Sequence, residues 1–462
     1  MHRNSLLIGL GAALALGFGL AAAGQPWVIC WTAGVTLLCA VWWITEALPM
    51  AVTALLPFAI FPLVGVLTPA QVGQAYGSPL ILLYLGGFML SMAMEKSGAH
   101  RRLALGMVNL FGRGSGDGTG HARGVVFGFM AAAALLSMWI SNTATSLMLL
   151  PIALATLENV TEKRLKLALL LGICYACNVG GIGTPIGTPP NLIFMQVFQE
   201  NTGVELSFID WMHWGLPVVI IFVPIIGLWI TRGFAGIPKI QVPEVGAWRS
   251  EEKRTLAVFV LTAFAWMTRR DPFGGWSTWL DLPQANDASV ALLAVVIMFL
   301  VPSGDGGRLL DWKTAVKIPW GILILFAGGI CIASAFVSSG ISQIIGEELA
   351  GLSGLHPLLL FLVICLCVTF LTEITSNTAT TALLMPILAA AAIGADLDPR
   401  LLMVPAAMSA SCAFMLPVAT GPNAVIFSSG HVPIRAMVRE GLILNLAGAA
   451  ILTAVCYTVF VI

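Results

Sequence analysis

Long apolar runs with few charges are the feature that most limits how this chain of 462 residues can fold. Hydrophobic residues make up 58% of the sequence and charged residues only 10%, whereas a soluble domain has about a quarter charged residues. Several apolar runs reach 17 or more residues, long enough for a helix to cross the ~30 Å hydrocarbon layer. A soluble protein with so few charges could not cover its surface. The sequence therefore predicts an all-helical protein that crosses a membrane many times.

Hydropathy along the chain predicts eleven crossings and two further apolar stretches. These two stretches, 124–156 and 357–392, are too long for one crossing, and each contains a polar cluster in its middle. We interpret each as a re-entrant helical hairpin, which enters and leaves on the same face of the membrane. The predicted crossings are 6–23, 27–44, 51–67, 80–95, 166–197, 212–231, 255–268, 288–302, 319–337, 401–428 and 441–461.

The basic residues agree with this arrangement. With the N-terminus in the cytoplasm, nineteen of the 22 Lys and Arg residues fall in cytoplasmic loops, as the positive-inside rule requires. Only Arg269, Arg270 and Arg400 fall on the other side. We therefore expect a multi-pass protein with a cytoplasmic N-terminus and an extracytoplasmic C-terminus, in a bacterial inner membrane. The equal numbers of basic and acidic residues, 22 each, exclude a nucleic-acid-binding protein.

Three short motifs occur twice, in the same order and at similar spacing. They are Leu-Gly-Gly at 85–87 and Ala-Gly-Gly at 327–329, Ser-Asn-Thr-Ala-Thr at 141–145 and 376–380, and Gly-Thr-Pro-Pro-Asn at 187–191 and Ala-Thr-Gly-Pro-Asn at 419–423. Five predicted crossings separate the two Ser-Asn-Thr clusters, so the two halves have opposite orientations in the membrane. Inverted repeats with helices interrupted near the midplane are typical of secondary transporters.

The doubled motifs can bind both an anion and a cation. Each Ser-Asn-Thr cluster lies at a predicted hairpin tip, where a helix begins and its free N–H groups favour an anion. Asn offers amide donors to a carboxylate and a carbonyl oxygen to a cation. Prolines in the third motif free backbone carbonyls, which hard cations prefer as ligands. None of the clusters contains Lys, Arg or His, so a bound anion must be neutralised by helix ends, amides and a co-bound cation.

At these residues the sequence resembles the divalent anion/sodium symporter family, which includes the INDY-like dicarboxylate and citrate carriers. The doubled Ser-Asn-Thr clusters, Trp-Trp-Ile-Thr-Glu-Ala-Leu-Pro at 42–49 and Gly-Gly-Phe at 86–88 carry the resemblance, which covers the whole chain. It implies a homodimer whose protomers each have eleven transmembrane helices, two hairpins and a transport domain that moves by an elevator mechanism. By position, the scaffold domain would comprise 1–115 and 237–350, and the transport domain 116–236 and 351–462.

The resemblance also implies a substrate site beside two sodium sites. The substrate carboxylates would contact Asn142, Thr143, Thr188, Asn377, Thr378 and Thr420. The first sodium would be bound by Ser137, Ser141, Asn142 and the backbone at Gly187. The second would be bound by Thr372, Thr375, Asn377 and the backbone at Ala419. Gly421 departs from the family pattern, since many relatives have Pro at this position, and Thr188 stands where some have Ser.

We therefore expect sodium-coupled import of C4-dicarboxylates such as succinate, malate and fumarate, with Na⁺ as coupling ion and no other cofactor. A dicarboxylate exchanger without net sodium coupling, a citrate or sulfate carrier of the same family and an anion channel are the alternatives. The sequence contains no Gly-x-x-x-x-Gly-Lys motif and no His-Glu-x-x-His motif, and no nucleophile and base can be paired. We therefore do not expect an enzyme or an ATP-driven pump.

Other features are predicted to be structural. The Cys174-x-x-Cys177 pair lies in an apolar run and is expected to be buried packing. Glu46 and Glu373 lie near the end of a crossing or hairpin, where a structural role is expected. The amphipathic stretches 96–112 and 341–353 are expected to form surface-lying arms that join the two domains. Their alternative interpretation is as ordinary loop helices.

Overall fold

The computed structural model describes residues 2–112, 119–158, 160–234, 240–241, 246–270, 273–348, 354 and 356–462. These residues are helical and irregular apart from one antiparallel pair of two-residue strands, β1 (Thr119–Gly120) and β2 (Ile240–Gln241). Among them, eight helical segments are long and apolar enough to cross a membrane. The prediction of an all-helical, multi-pass membrane protein is confirmed. The count of eleven crossings stays a prediction.

The described residues of the first half form twelve α-helices and one short 3₁₀ helix, Gly181–Gly183. The α-helices are α1 (His2–Ala22), α2 (Trp27–Thr45), α3 (Met50–Thr53), α4 (Leu55–Leu63), α5 (Pro69–Tyr76), α6 (Pro79–Ser97), α7 (Ala99–Gly112), α8 (Ala122–Ser137), α9 (Asn142–Thr156), α10 (Lys163–Gly180), α11 (Pro189–Thr202) and α12 (Phe208–Ile230).

Eleven α-helices follow among the described residues of the second half. They are α13 (Ser250–Met267), α14 (Gly275–Trp279), α15 (Asp287–Leu300), α16 (Trp312–Ala315), α17 (Trp320–Ser339), α18 (Ile341–Glu348), α19 (Pro357–Thr372), α20 (Asn377–Gly394), α21 (Arg400–Ala410), α22 (Gly421–Ser428) and α23 (Ile434–Phe460).

The third predicted crossing, 51–67, contains the apolar helical segment Met50–Leu63, in which α3 and α4 are separated by a turn at Ala54. Proline lacks the backbone N–H that would bond to the carbonyl four residues earlier. Pro57 therefore leaves the Thr53 carbonyl without a helical donor, and the Cys39 thiol contacts that oxygen instead, at 3.8 Å.

The two predicted hairpins are each two helices joined by four residues, 138–141 between α8 and α9 and 373–376 between α19 and α20. α8 and α9 have 16 and 15 residues. At a rise of 1.5 Å per residue they are only about 22–24 Å long, shorter than the ~30 Å hydrocarbon layer. Re-entry of each pair on one face of the membrane stays a prediction.

Two of the predicted crossings are interrupted at the third doubled motif. α10 is separated from α11 by 181–188, and α21 is separated from α22 by 411–420; we call these segments the first and second breaks. Matching asparagines bridge them. The Asn191 amide donates to the carbonyls of Gly181 and Thr184, at 2.9 and 2.7 Å. The Asn423 amide donates to the carbonyls of Ala413 and Leu416, at 3.1 and 2.8 Å. A side-chain amide thus replaces the helical donors that proline and the break remove.

The doubled Gly-Gly motif lies where α6 and α17 pack against neighbours on two sides. A Cβ added to Gly86 would lie 2.6 Å from Ala291, and one added to Gly328 would lie 2.7 Å from Ala54. The second glycine of each motif faces the opposite way. Gly87 faces Ile186 of the first break, and Gly329 faces α20, each at ordinary or slightly tight contact distance. The two glycines of each motif therefore let α6 and α17 pack closely against their neighbours on both sides.

The predicted arms contain α7 and α18, although 349–353 lies outside the described residues. α7 is more than a surface arm, because it packs antiparallel against α8. A Cβ added to Gly124 or Gly128 would clash with the backbone at Phe111 or Val108. The predicted domain boundaries at 115/116 and 350/351, and that at 236/237, also fall outside the described residues.

Candidate functional site

A cavity of about 650 Å³, counting its open mouth, lies where both breaks and the tips of both helix pairs meet. All six residues predicted to contact the substrate line it, and none of the described residues that line it carries a charge. The lining comprises Tyr84, Phe88, Ser141, Asn142, Thr143, Asn178, Ile186, Gly187, Thr188, Pro189, Ile322, Ser376, Asn377, Thr378, Ala419, Thr420, Gly421 and Pro422. The two halves of the chain thus bring equivalent polar residues to one cavity.

Four helices begin at this cavity, and the first residue of each lines it: α9, α11, α20 and α22. The hydroxyls of Ser141, Thr188 and Ser376 stand at the N-cap positions of three of these helices but do not bond to their own backbone N–H groups. Those hydroxyls and the first N–H groups of α9 and α20 are available to a ligand in the cavity, whereas α11 begins with two prolines that have no N–H. Each helix N-terminus carries roughly half a positive elementary charge, so four of them supply about two positive charges.

Three oxygen atoms meet beside the cavity in the first half. The Ser137 hydroxyl oxygen lies 2.5 Å from Asn142 Oδ1 and 2.7 Å from the Cys177 carbonyl oxygen. We call these atoms the first oxygen triad. A hydroxyl has a single hydrogen, whereas both of its neighbours here are acceptors. One of the two contacts therefore lacks a hydrogen bond, and a cation among the three oxygens would satisfy all of them.

The second half repeats this arrangement. The Thr372 hydroxyl oxygen lies 2.8 Å from Asn377 Oδ1 and 3.0 Å from the Ala410 carbonyl oxygen, and these atoms form the second oxygen triad. Each triad lies where two helices end, α8 and α10 in the first half and α19 and α21 in the second. Helix C-termini carry partial negative charge and favour a cation. Helix N-termini therefore face the cavity while helix C-termini face the triads.

The other predicted sodium ligands differ in their surroundings. Ser141, Gly187 and Ala419 line the cavity. The Thr375 hydroxyl instead contacts Thr380 Oγ1 at 2.5 Å and donates to the Leu371 carbonyl at 2.8 Å, so it is engaged within its own hairpin. Ser376, not predicted as a ligand, takes the position in the second half that Ser141 takes in the first.

Asn178 is a site residue that sequence reasoning missed. Its side chain is buried in the last turn of α10, and it lines the cavity. The amide nitrogen lies 3.1 Å from Thr420 Oγ1, 3.1 Å from Asn423 Oδ1 and 3.2 Å from the Ala413 carbonyl. Asn178 thus connects the helix before the first break to the second break. Its signal in the sequence is a lone amide in an apolar helix, three residues before the break.

Glu373 is a second residue whose importance comes from long-range contacts. Its side chain is only 3% exposed, and its carboxylate accepts hydrogen bonds from three consecutive backbone N–H groups and from an amide. The donors are the backbone N–H groups of Phe414 (2.7 Å), Met415 (2.9 Å) and Leu416 (2.9 Å) and Asn445 Nδ2 (2.8 Å). The carboxylate therefore holds the middle of the second break next to Thr372. The first half has Met138 at the equivalent position.

Comparisons with known proteins agree with this geometry. A family model described as the sodium:sulfate symporter transmembrane region matches residues 16–461. A protein of Staphylococcus saprophyticus named sodium-dependent dicarboxylate transporter SdcS is 39% identical over 448 residues, covering 92% of this chain and 84% of the relative. A Staphylococcus aureus (strain USA300) protein of the same name is 38% identical over 459 residues, covering 94% and 86%.

Two solved structures share the fold at low sequence identity. The YdaH transporter of Alcanivorax borkumensis superposes with a TM-score of 0.62 at 14% identity, covering 93% of this chain and 99% of that one. MtrF of Neisseria gonorrhoeae superposes with a TM-score of 0.59 at 16% identity, covering 87% and 85%. The family match over nearly the whole chain confirms the resemblance carried by the doubled Ser-Asn-Thr clusters. The chain is a multi-pass membrane protein that belongs to the sodium:sulfate symporter family, the divalent anion/sodium symporters.

Proposed function

We propose that the protein is a sodium-coupled symporter that imports C4-dicarboxylates such as succinate, malate and fumarate across the bacterial inner membrane. The observation that carries the proposal is the pair of oxygen triads beside one uncharged cavity. The names of the staphylococcal relatives, sodium-dependent dicarboxylate transporters, support the same conclusion.

Charge balance favours a dianion in the cavity and sodium in the triads. The four helix N-termini offset about two negative charges, which matches a fully ionised dicarboxylate. Each triad offers only neutral oxygens, which suit Na⁺ better than a divalent ion that needs carboxylates. We propose that the residues predicted for each sodium site bind there, together with the Cys177 and Ala410 carbonyls.

Asn142 and Asn377 connect the cations to the anion. In each triad the asparagine Oδ1 faces the cation position, while the residue itself lines the cavity. A sodium ion that binds Oδ1 fixes the amide orientation, so that Nδ2 is preorganised to donate to a carboxylate. Without sodium this preorganisation is lost, and only the helix N-termini remain to offset the charge of the dicarboxylate. The affinity for the anion therefore depends on sodium.

The movement that completes transport is proposed to be an elevator movement in a homodimer. The transport domain would comprise 116–236 and 351–462, with both hairpins and both breaks, and the scaffold 1–115 and 237–350. The Gly-Gly motifs of α6 and α17 support this division, because they give the scaffold a small-residue surface toward the first break and α20. The N-terminus is proposed to be cytoplasmic and the C-terminus extracytoplasmic.

Binding to the purified protein tests the proposed coupling without transport. We expect succinate to raise the thermal unfolding temperature in sodium chloride but not in choline chloride of equal ionic strength. Sulfate, which the family description names, serves as the competing ligand. An equal succinate-induced shift in both salts contradicts the sodium dependence, and a shift with sulfate alone contradicts the dicarboxylate assignment.

Gly421 provides a test of the substrate cavity. The Thr143 side chain fills the space that a Cβ on Gly421 would take. Gly421→Ala must therefore displace Thr143, and overpacking of this kind costs about 1–3 kcal/mol. We expect the half-saturating succinate concentration for uptake to rise roughly tenfold, at an unchanged amount of folded protein. The matched control is Gly106→Ala, where a Cβ meets no atom within 4 Å. Wild-type succinate affinity in Gly421→Ala contradicts the placement of Thr143.

A further inference from the structure

A second polar cavity, of about 920 Å³ counting its mouth, lies at the C-terminal ends of α11 and α17. Its lining holds amides, hydroxyls, one carboxylate and no basic side chain: Gln71, Gln74, Ala75, Ser78, Pro79, Gln196, Gln199, Glu200, Ile330, Ser334, Val337 and Ser338. A narrow apolar pocket that includes Leu80, Ile193 and Phe326 lies along the same helices, between this cavity and the substrate cavity. The predicted topology places the polar cavity on the outer face of the membrane.

In the part of the chain that the structure describes, Glu200 is the only ionisable residue that lines this cavity. Its carboxylate oxygens accept hydrogen bonds from Gln196 Nε2 at 2.9 Å and from the Ser334 hydroxyl at 3.2 Å. The Ser78 hydroxyl in turn donates to Gln196 Oε1. All of these partners are neutral, so they do not balance the charge of the carboxylate. A partly buried carboxylate surrounded by neutral groups attracts a cation.

The helix ends around Glu200 add to this attraction. Glu200 lies in the last turn of α11, and Ser338 in the last turn of α17. The negative ends of two helices therefore point to the cavity. The positive end of α6, at Ser78, opposes them. Two negative ends and one carboxylate outweigh one positive end, so the field favours a cation.

We propose that this cavity binds a sodium ion, with Glu200 as the charged ligand and Ser334 and a glutamine carbonyl oxygen as neutral ligands. A single carboxylate among neutral oxygens suits a monovalent cation, because sites for divalent cations use several carboxylates. The site is separate from both oxygen triads and adds a third cation position. It rests on the proposed sodium coupling for its role in transport, but not for binding.

Equilibrium binding of ²²Na⁺ to the purified, full-length protein tests the proposal. Removal of a charged ligand weakens cation binding by roughly tenfold or more, so we expect Glu200→Gln to bind less sodium per protomer than the wild type at sodium concentrations below saturation, with one site that needs roughly tenfold more sodium to fill. Glu95→Gln is the matched control, because it removes an exposed carboxylate near the other end of α6. A wild-type amount of bound sodium in Glu200→Gln overturns the proposal.

Two further variants keep the test decisive. Ser334→Ala retains the carboxylate and removes one hydroxyl. It therefore tests sodium binding at this cavity even if Glu200→Gln does not fold. We expect it to weaken the same class of bound sodium about threefold, as loss of a neutral ligand does. Wild-type binding in folded Ser334→Ala overturns the proposal. Ser137→Ala separates it from the coupling sites. If Ser137→Ala binds sodium normally while Glu200→Gln does not, the proposed sodium site at the first triad is contradicted and the proposed site in this cavity is supported.

Discussion

We expect Asn142→Ala and Asn377→Ala each to abolish sodium-driven succinate uptake. Each asparagine supplies Oδ1 to an oxygen triad and lines the substrate cavity. A hydrogen bond to a charged group contributes about 1.5–3 kcal/mol. Loss of the cation ligand and of the carboxylate donor together therefore costs about 3–6 kcal/mol, or roughly a hundredfold or more in affinity. Initial uptake rates in proteoliposomes, at matched amounts of reconstituted protein, measure this loss.

Asn201→Ala is the matched control for both variants. Asn201 lies near the end of α11, and its amide donates only within that helix, to the Val197 carbonyl at 2.8 Å. Its uptake should equal that of the wild type. Because the two halves contribute equivalent asparagines, loss in only one of the Asn142 and Asn377 variants would mean that only one half binds. Normal uptake in both variants would contradict the proposed site.

The second large effect is expected for Glu373→Gln. All four groups that contact this buried carboxylate are N–H donors. A glutamine NH₂ group in place of one carboxylate oxygen is also a donor, so it would face another donor without forming a hydrogen bond. A hydrogen bond to a charged group contributes about 1.5–3 kcal/mol, so loss of these bonds destabilises the second break. The second break is thereby released next to Thr372, and the negative charge near the second triad is removed. We expect a lower unfolding temperature and at least a roughly tenfold higher half-saturating sodium concentration.

Two comparisons separate the electrostatic effect of Glu373 from a general loss of stability. Glu158→Gln, which changes an exposed carboxylate after α9, should leave both quantities unchanged. Asn445→Ala removes one of the four donors and keeps the charge. It should lower the unfolding temperature while changing the sodium dependence less than Glu373→Gln does. A Glu373→Gln variant with wild-type sodium dependence would contradict the proposed role.

The parts of the fold that were predictable are those with a local physical signal. Polar clusters inside apolar stretches and paired prolines show where helices must begin or end in a membrane. The doubled motifs therefore located both helix pairs and both breaks within a few residues. The interruption of the third crossing at Ala54 was missed, although Pro57 marks it, because the average hydropathy of 51–67 is high throughout.

Long-range contacts were not predictable from the same signals. Asn178 bonds to Thr420, which is 242 residues away, and Glu373 bonds to Asn445, which is 72 residues away. Glu373 could be predicted as structural from its position near a hairpin end, but its hydrogen bonds to the second break could not. The packing reason for the doubled Gly-Gly motif also requires its neighbours Ala291 and Ala54, which no pattern in the sequence pairs with it.

The measurement that tests sodium-coupled import most directly is radiolabelled succinate uptake into proteoliposomes. Vesicles are compared with and without an inward sodium gradient, and with or without unlabelled succinate inside. Sodium-driven accumulation into empty vesicles is the expected result, since both oxygen triads would be filled before the anion binds. Uptake that ignores sodium and requires internal dicarboxylate would contradict this account and identify an exchanger instead.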